Sequence, residues 1–199
     1  MTRPAQSPGA YGPVSIALHW TLAIMILFQV GLGWWMNQVL PDHTPLQRAA
    51  ESVHISFGLT ILLLVLVRIV WRLTHPAPPL PEAMAGWERV LARSTHALFY
   101  LLMLALPLTG WALVSLGNHP ISFWGLPWPH LPGVHALFGV NPPKPVRHSL
   151  VHVHVFILIW VVVVNLALHV AGALKHQFDG HPVLWRMTTG RPPAGASDV

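Results

Sequence analysis

The 199-residue sequence contains no cysteine. That absence excludes disulfides, iron–sulfur ligation, thiolate metal sites and covalent C-x-x-C-H attachment of a porphyrin. Charge is nearly as scarce: 9% of residues are Asp, Glu, Lys or Arg, against roughly 25% in a soluble domain. A water-soluble globule of this size would lack the charge to cover its surface. The hydrophobic share is 53% and the mean hydropathy is +0.54. Soluble-enzyme, disordered and collagen-like classes are set aside, and a membrane protein remains. Six acidic and eleven basic residues leave a net charge of +5. The basic residues are scattered without forming a stripe, so no nucleic-acid partner is implied and membrane topology explains them. No nucleophile–base dyad and no phosphate-cradling Gly loop supports hydrolase or kinase chemistry. Neither an internal repeat nor a signal-peptide cleavage pattern is found, so the first apolar run is expected to be retained.

Four runs are long and apolar enough to cross a bilayer, which takes about 20 residues. They cover 14–36, 52–73, 91–116 and 148–174. Pro-rich connectors separate them, PAPPLP at 76–81 and a segment of 118–147 with seven prolines. Pro107 is expected to kink the third span. RPPAGASDV at the end reads as a frayed tail, within a cytoplasmic segment of 176–199. Orientation follows from Lys and Arg. With both termini in the cytoplasm, Arg3, Arg68, Arg72, Arg89, Arg93, Lys175, Arg186 and Arg191 lie inside. Arg48, Lys144 and Arg147 lie outside. Trp34, Trp35, Trp71, Trp111, Trp124 and Trp128 fall near span ends, where amphipathic indoles settle. The fold class expected is therefore all-α, a single-domain integral membrane four-helix bundle.

Fourteen histidines stand out against this background. His19, His54, His96, His154 and His169 fall inside apolar spans, with His152 close behind. Ionisable groups there are costly and face the bundle interior with a partner. A lone one is more often a neutral imidazole bonded to a neighbouring helix, but these pair in depth. His19 and His169 share a level near the cytoplasmic face, and His54 and His154 share a level near the outer face. Haem b iron takes two axial ligands on opposite sides, and neutral imidazole serves. His154 and His169 are fifteen residues apart, about 22 Å along a helix. Two haems at that spacing would bridge most of the apolar core. Zinc would want three or four ligands at one point, and the spans offer almost no acid. Helical phase favours His154 over His152 as the outer ligand on the fourth span, since His154 lies about 60° from His169 and His152 about 100°. The one left over would bond a haem propionate or a loop carbonyl.

Several stretches carry a resemblance. SIALHWTLAIMI, ESVHISFGLTILLLVLVRIVWRLTHPAPPLP, THALFYLLMLALPLTGW, PISFWGLP, NLALHVAGALKHQF and HPVLWRM together cover nearly the whole chain. They resemble the bacterial cytochrome b561 family. The resemblance implies a multi-pass inner-membrane protein with two non-covalent haems b, ligated at His19, His54, His154 and His169. It implies electron transfer between an outer-face donor such as superoxide and ubiquinone. The alternative within the family is a haem b anchor subunit for a dehydrogenase or hydrogenase. The fourth-span ligands of the family stand fourteen residues apart, where this chain has Val155. A single π-turn would absorb the extra residue.

Further residues invite a role. His96 and His176 lie near the cytoplasmic ends of their spans as quinone-site residues, or as interfacial imidazoles bonded to headgroups or propionates. Arg68 and Arg72 would bridge haem propionates or snorkel to headgroups. Ser15, one turn before His19, would line the inner haem edge or cap its helix. Gly31, Gly33, Gly58 and Gly110 permit close approach of a helix or a porphyrin. His119, His130 and His135 in the outer loop read as solvated. Lys144, Arg147 and Arg48 would draw a small anion to the outer mouth, or are ordinary loop charge. A haem-free transporter with proton-relaying histidines is the rival of a different class.

Overall fold

A computed structural model describes residues 10–80, 84–179 and 183–190. Arg3, Arg191 and the 191–199 tail lie outside the described residues. Four long helical segments are apolar enough to cross a membrane. They are α1 (Pro13–Gln38), α2 (Pro45–Thr74), α3 (Gly86–Ser115) and a compound segment over Lys144–Phe178. The last comprises α5 (Lys144–Val151), a π-helix over His152–Leu158 and α6 (Ile159–Phe178). Between α3 and α5 lie a hairpin of β1 (Ile121–Phe123) and β2 (Leu126–Trp128) and the short α4 (Val134–Phe138).

Each long helix starts further out than the hydropathy pattern predicts, and local chemistry says why. Pro13 and Pro45 occupy first-turn positions, where a missing N–H costs nothing. Thr44 caps α2 by accepting the Gln47 N–H at 3.2 Å. Gln47 returns its carbonyl oxygen to the His43 N–H at 2.6 Å and its amide to Asp42 at 3.1 Å. At the start of α3, the Glu88 carboxylate takes the Ala85 N–H at 3.0 Å. Pro107 does not end α3, which runs on to Ser115.

α2 packs between α1 and α3, and α3 carries the fourth segment. A core of Leu22, Ile61 and Val65 gathers Met25, Ile26, Leu64, Met103 and Leu104 around it. The outer faces stay apolar: Leu73 is 78% and Trp160 66% exposed. In lipid such surface carries no penalty, and close packing with buried polar contacts holds the helices together.

The long loop is folded, which its proline content concealed. Trp124 and Gly125 both have positive φ, 52° and 85°, the geometry of a type I′ hairpin turn. The turn is anchored on α2, where Ser56 accepts the Trp124 N–H and Thr60 accepts its indole N–H, each at 3.1 Å. Trp111 donates to the Pro129 carbonyl at 3.0 Å, and Leu131 donates to Ser115 at 2.8 Å. These indoles are pinned to the bundle rather than merely placed near an interface. At the other end, the stretch expected as tail is partly fastened. A 3-10 turn over Leu184–Met187 receives the Trp20 indole on the Met187 carbonyl at 2.6 Å. Arg186 reaches the Pro79 carbonyl at 2.8 Å.

Candidate cofactor site

Two imidazole pairs face each other across the bundle. At the hairpin end, His54 of α2 and His154 of the π-helix have ring centres 6.3 Å apart. At the opposite end of the bundle, His19 of α1 and His169 of α6 repeat the separation, 6.3 Å. Two metal–nitrogen bonds in line, each about 2 Å, plus about 1 Å of ring at either end span about 6 Å. The separation in both pairs would therefore leave room for a metal between the two imidazoles. The donor set is neutral nitrogen without carboxylate, which suits haem iron. Among the described residues, no group of three or more His, Cys, Asp or Glu is placed to hold a metal ion.

Local structure brings the rings in. Gly33 on α1 lies where a Cβ would stand 3.3 Å from His54 Cε1. Gly110 on α3 lies where a Cβ would stand 3.1 Å from His154 Cε1. These glycines admit imidazoles rather than helix backbones; Gly31 has nothing within 4 Å and Gly58 meets only the Gln29 side chain. The π-helix over His152–Leu158 takes up an extra residue in the turn that holds His154. It also separates the two histidines that helical phase left in competition. His154 faces His54, whereas His152 is exposed and stacks on Phe156 at 5.3 Å.

The pair of His19 and His169 sits in a denser setting. His169 meets Phe99 at 5.4 Å and His96 at 5.2 Å, both edge to face. The His96 Nδ1 donates to the Ala92 carbonyl at 2.6 Å, which leaves Nε2 outside that bond. Arg68 donates to the Ser15 carbonyl at 3.4 Å and lies over the Tyr100 ring. Arg72 lies over Tyr11. Ser15 does not cap α1, whose cap position is Gly12 without a side-chain bond; its hydroxyl accepts the Trp71 indole N–H at 3.0 Å instead. His176 stands beside Lys175, whose ammonium bridges Glu88 at 2.8 Å and Asp179 at 2.5 Å, tying α6 to the start of α3.

Sequence reasoning missed Thr109, whose hydroxyl lies 2.9 Å from His154 Nδ1, and Phe99. A lone hydroxyl or aromatic in an apolar span carries no positional signal, although Thr109 adjoins Gly110. In the loop, His130 and His135 come together with ring centres 5.2 Å apart.

Fold and pairs define a class, a multi-pass helical membrane protein whose facing imidazoles are spaced for porphyrin iron. The family model described as prokaryotic cytochrome b561 matches residues 10–190. The chain is 33% identical to "Cytochrome b561 homolog 2" of Escherichia coli (strain K12), over 91% of this chain and 92% of that protein. It is 26% identical to "Probable superoxide oxidase CybB" of Yersinia pestis, over 84% and 89% respectively. The chain belongs to the prokaryotic cytochrome b561 family of transmembrane electron carriers, which bind b-type haem.

Proposed function

We propose that the chain is a di-haem oxidoreductase of the bacterial inner membrane that takes electrons from superoxide and delivers them to ubiquinone. The observation that carries this is the repetition of the 6.3 Å imidazole pair at two levels of one bundle. His54 and His154 hold one haem b near the outer face, and His19 and His169 hold the other near the cytoplasmic face. Bound there, each haem supplies an iron that accepts and releases one electron. Both termini then lie in the cytoplasm and the hairpin faces outward.

The chain's own residues supply binding and proton handling. Lys144, Arg147 and Arg48 make the outer mouth attractive to a small anion. The similarity to a relative named probable superoxide oxidase supports superoxide as that anion. Two superoxide anions give up one electron each and leave as dioxygen. Ubiquinone takes two electrons and two protons. His96, its Nδ1 tied to the Ala92 carbonyl and its ring against His169, passes those protons, with His176 as the second candidate. Arg68, Arg72 and the Ser15 hydroxyl would help to hold the inner haem by donating to its carboxylates.

Purified full-length protein tests this directly. We expect a b-type reduced-minus-oxidised spectrum with two haems per chain, and superoxide-driven reduction of a soluble ubiquinone analogue. A colourless but folded preparation overturns the haem assignment. A haem-loaded chain inert toward superoxide and quinone overturns the activity and leaves an anchor subunit for a partner dehydrogenase or hydrogenase.

A further inference from the structure

The hydroxyl of Thr109 occupies a position that decides how His154 behaves. Its oxygen lies 2.7 Å from the Ala105 carbonyl and 2.9 Å from the Leu106 carbonyl, one turn back on α3. It also lies 2.9 Å from His154 Nδ1. A hydroxyl has one proton, and carbonyl oxygens only accept. That proton is committed to the backbone, so toward His154 the Thr109 oxygen accepts. His154 consequently carries its proton on Nδ1 and keeps the Nε2 lone pair for a metal. Gly110, the next residue, leaves room for the ring at the same height.

The facing ligand lacks this support. His54 Nδ1 is buried and has no hydrogen-bond partner among the described residues. The two imidazoles of this pair are therefore inequivalent, one backed by a hydroxyl and one not. A threonine in an apolar helix commonly bonds its own backbone and nothing more. Here the same oxygen serves a second, interhelical partner, and that partner sits in the one π-turn among the described residues.

We propose that Thr109 is a positioning residue for the haem held by His54 and His154. Together with the Leu106 carbonyl, which also accepts from His154, it fixes the tautomer and ring angle of that imidazole. By accepting from Nδ1 it also makes Nε2 the stronger donor, which favours ferric iron and lowers the potential of that haem. The proposal rests on the haem assignment made above, and its test separates the two.

Thr109→Val keeps shape and removes the acceptor, while Thr109→Ser restores it. Both are made in the full chain and titrated potentiometrically, with the low-spin electron paramagnetic resonance signals of each haem recorded. For Thr109→Val we expect the ferrous-to-ferric ratio of the outer haem, at fixed potential, to rise by up to about tenfold, which is about 59 mV for one electron. Its resonance signal shifts, the inner haem is unchanged, and Thr109→Ser returns both readouts to the parent values. If Thr109→Val sheds the outer haem, recovery in Thr109→Ser supports the proposal and loss in both variants overturns it. Two retained haems with an unmoved outer potential and signal also overturn it. His154→Ala is the separate control: retention of both haems there removes the haem assignment itself.

Discussion

Asn165 on α6 donates its side-chain amide to the Thr95 carbonyl on α3 at 3.1 Å, and both residues are buried. The contact lies one helical turn from His169, at the level where His96 and Phe99 close on that ring. It fixes the rotation of α6 about its axis, and with it the direction of the His169 imidazole. Interhelical hydrogen bonds in membranes contribute about 0.6 kcal/mol on average and up to about 1.7. Asn165→Leu keeps the branching at Cγ and removes the donor. We expect about 1 kcal/mol less stability in detergent unfolding, and earlier loss of the inner haem than of the outer during the melt. Simultaneous loss of both haems at an unchanged midpoint argues against this clamp.

Removal of single imidazoles resolves the two sites. His19→Ala and His169→Ala are expected to lose the inner haem alone, and His54→Ala and His154→Ala the outer one. Haem per chain by pyridine haemochrome then falls from two to one in each variant. His152→Ala is expected to keep both, because that ring is exposed against Phe156. Haem loss in His152→Ala with retention in His154→Ala would reverse the ligand choice on the fourth segment.

The four membrane helices were legible because twenty apolar residues in a row have few other fates. The depth pairing of His19 with His169 and of His54 with His154 was legible from helix direction alone. Even the π-turn left a trace, as a fifteen-residue spacing that an uninterrupted helix leaves about 60° out of phase. The hairpin left none. Its turn places Trp124 in the left-handed region where Asn or Asp is usual, and flanking prolines hide the strands. Of the two readings Ser15 offered, haem edge or helix cap, only the cap falls, because its hydroxyl takes the indole N–H of Trp71, far off in sequence. Thr109 and Asn165 act across helices, and no local pattern announces a partner on another helix.

Glycine substitutions rank the tightness of the outer pair. At Gly110 an added Cβ would meet His154 at 3.1 Å, and at Gly33 it would meet His54 at 3.3 Å. Carbon atoms sit comfortably at about 3.5–4.0 Å. Gly110→Ala is expected to shift or weaken the outer haem spectrum most, and Gly33→Ala less. Gly31→Ala meets nothing, and better helix propensity stabilises it by up to about 1 kcal/mol. Thermal melts followed in the Soret band check the order. A disturbed outer haem in Gly31→Ala, with Gly110→Ala unaffected, contradicts the placement of these rings.

His96 yields the sharpest functional prediction. Its Nδ1 is held by the Ala92 carbonyl, so a single nitrogen, Nε2, is free to take or give a proton beside His169. General acid–base groups contribute about 100-fold or more to the steps they serve. His96→Ala is therefore expected to slow reduction of a ubiquinone analogue by about 100-fold, while haem content remains two per chain. Electron uptake at the outer face, followed by stopped-flow haem reduction with superoxide, is expected to keep its parent rate. The block then lies between reduced haem and quinone, where a proton is needed. If His96→Ala reduces quinone at the parent rate and His176→Ala does not, the proton route runs along the end of α6 rather than along α3.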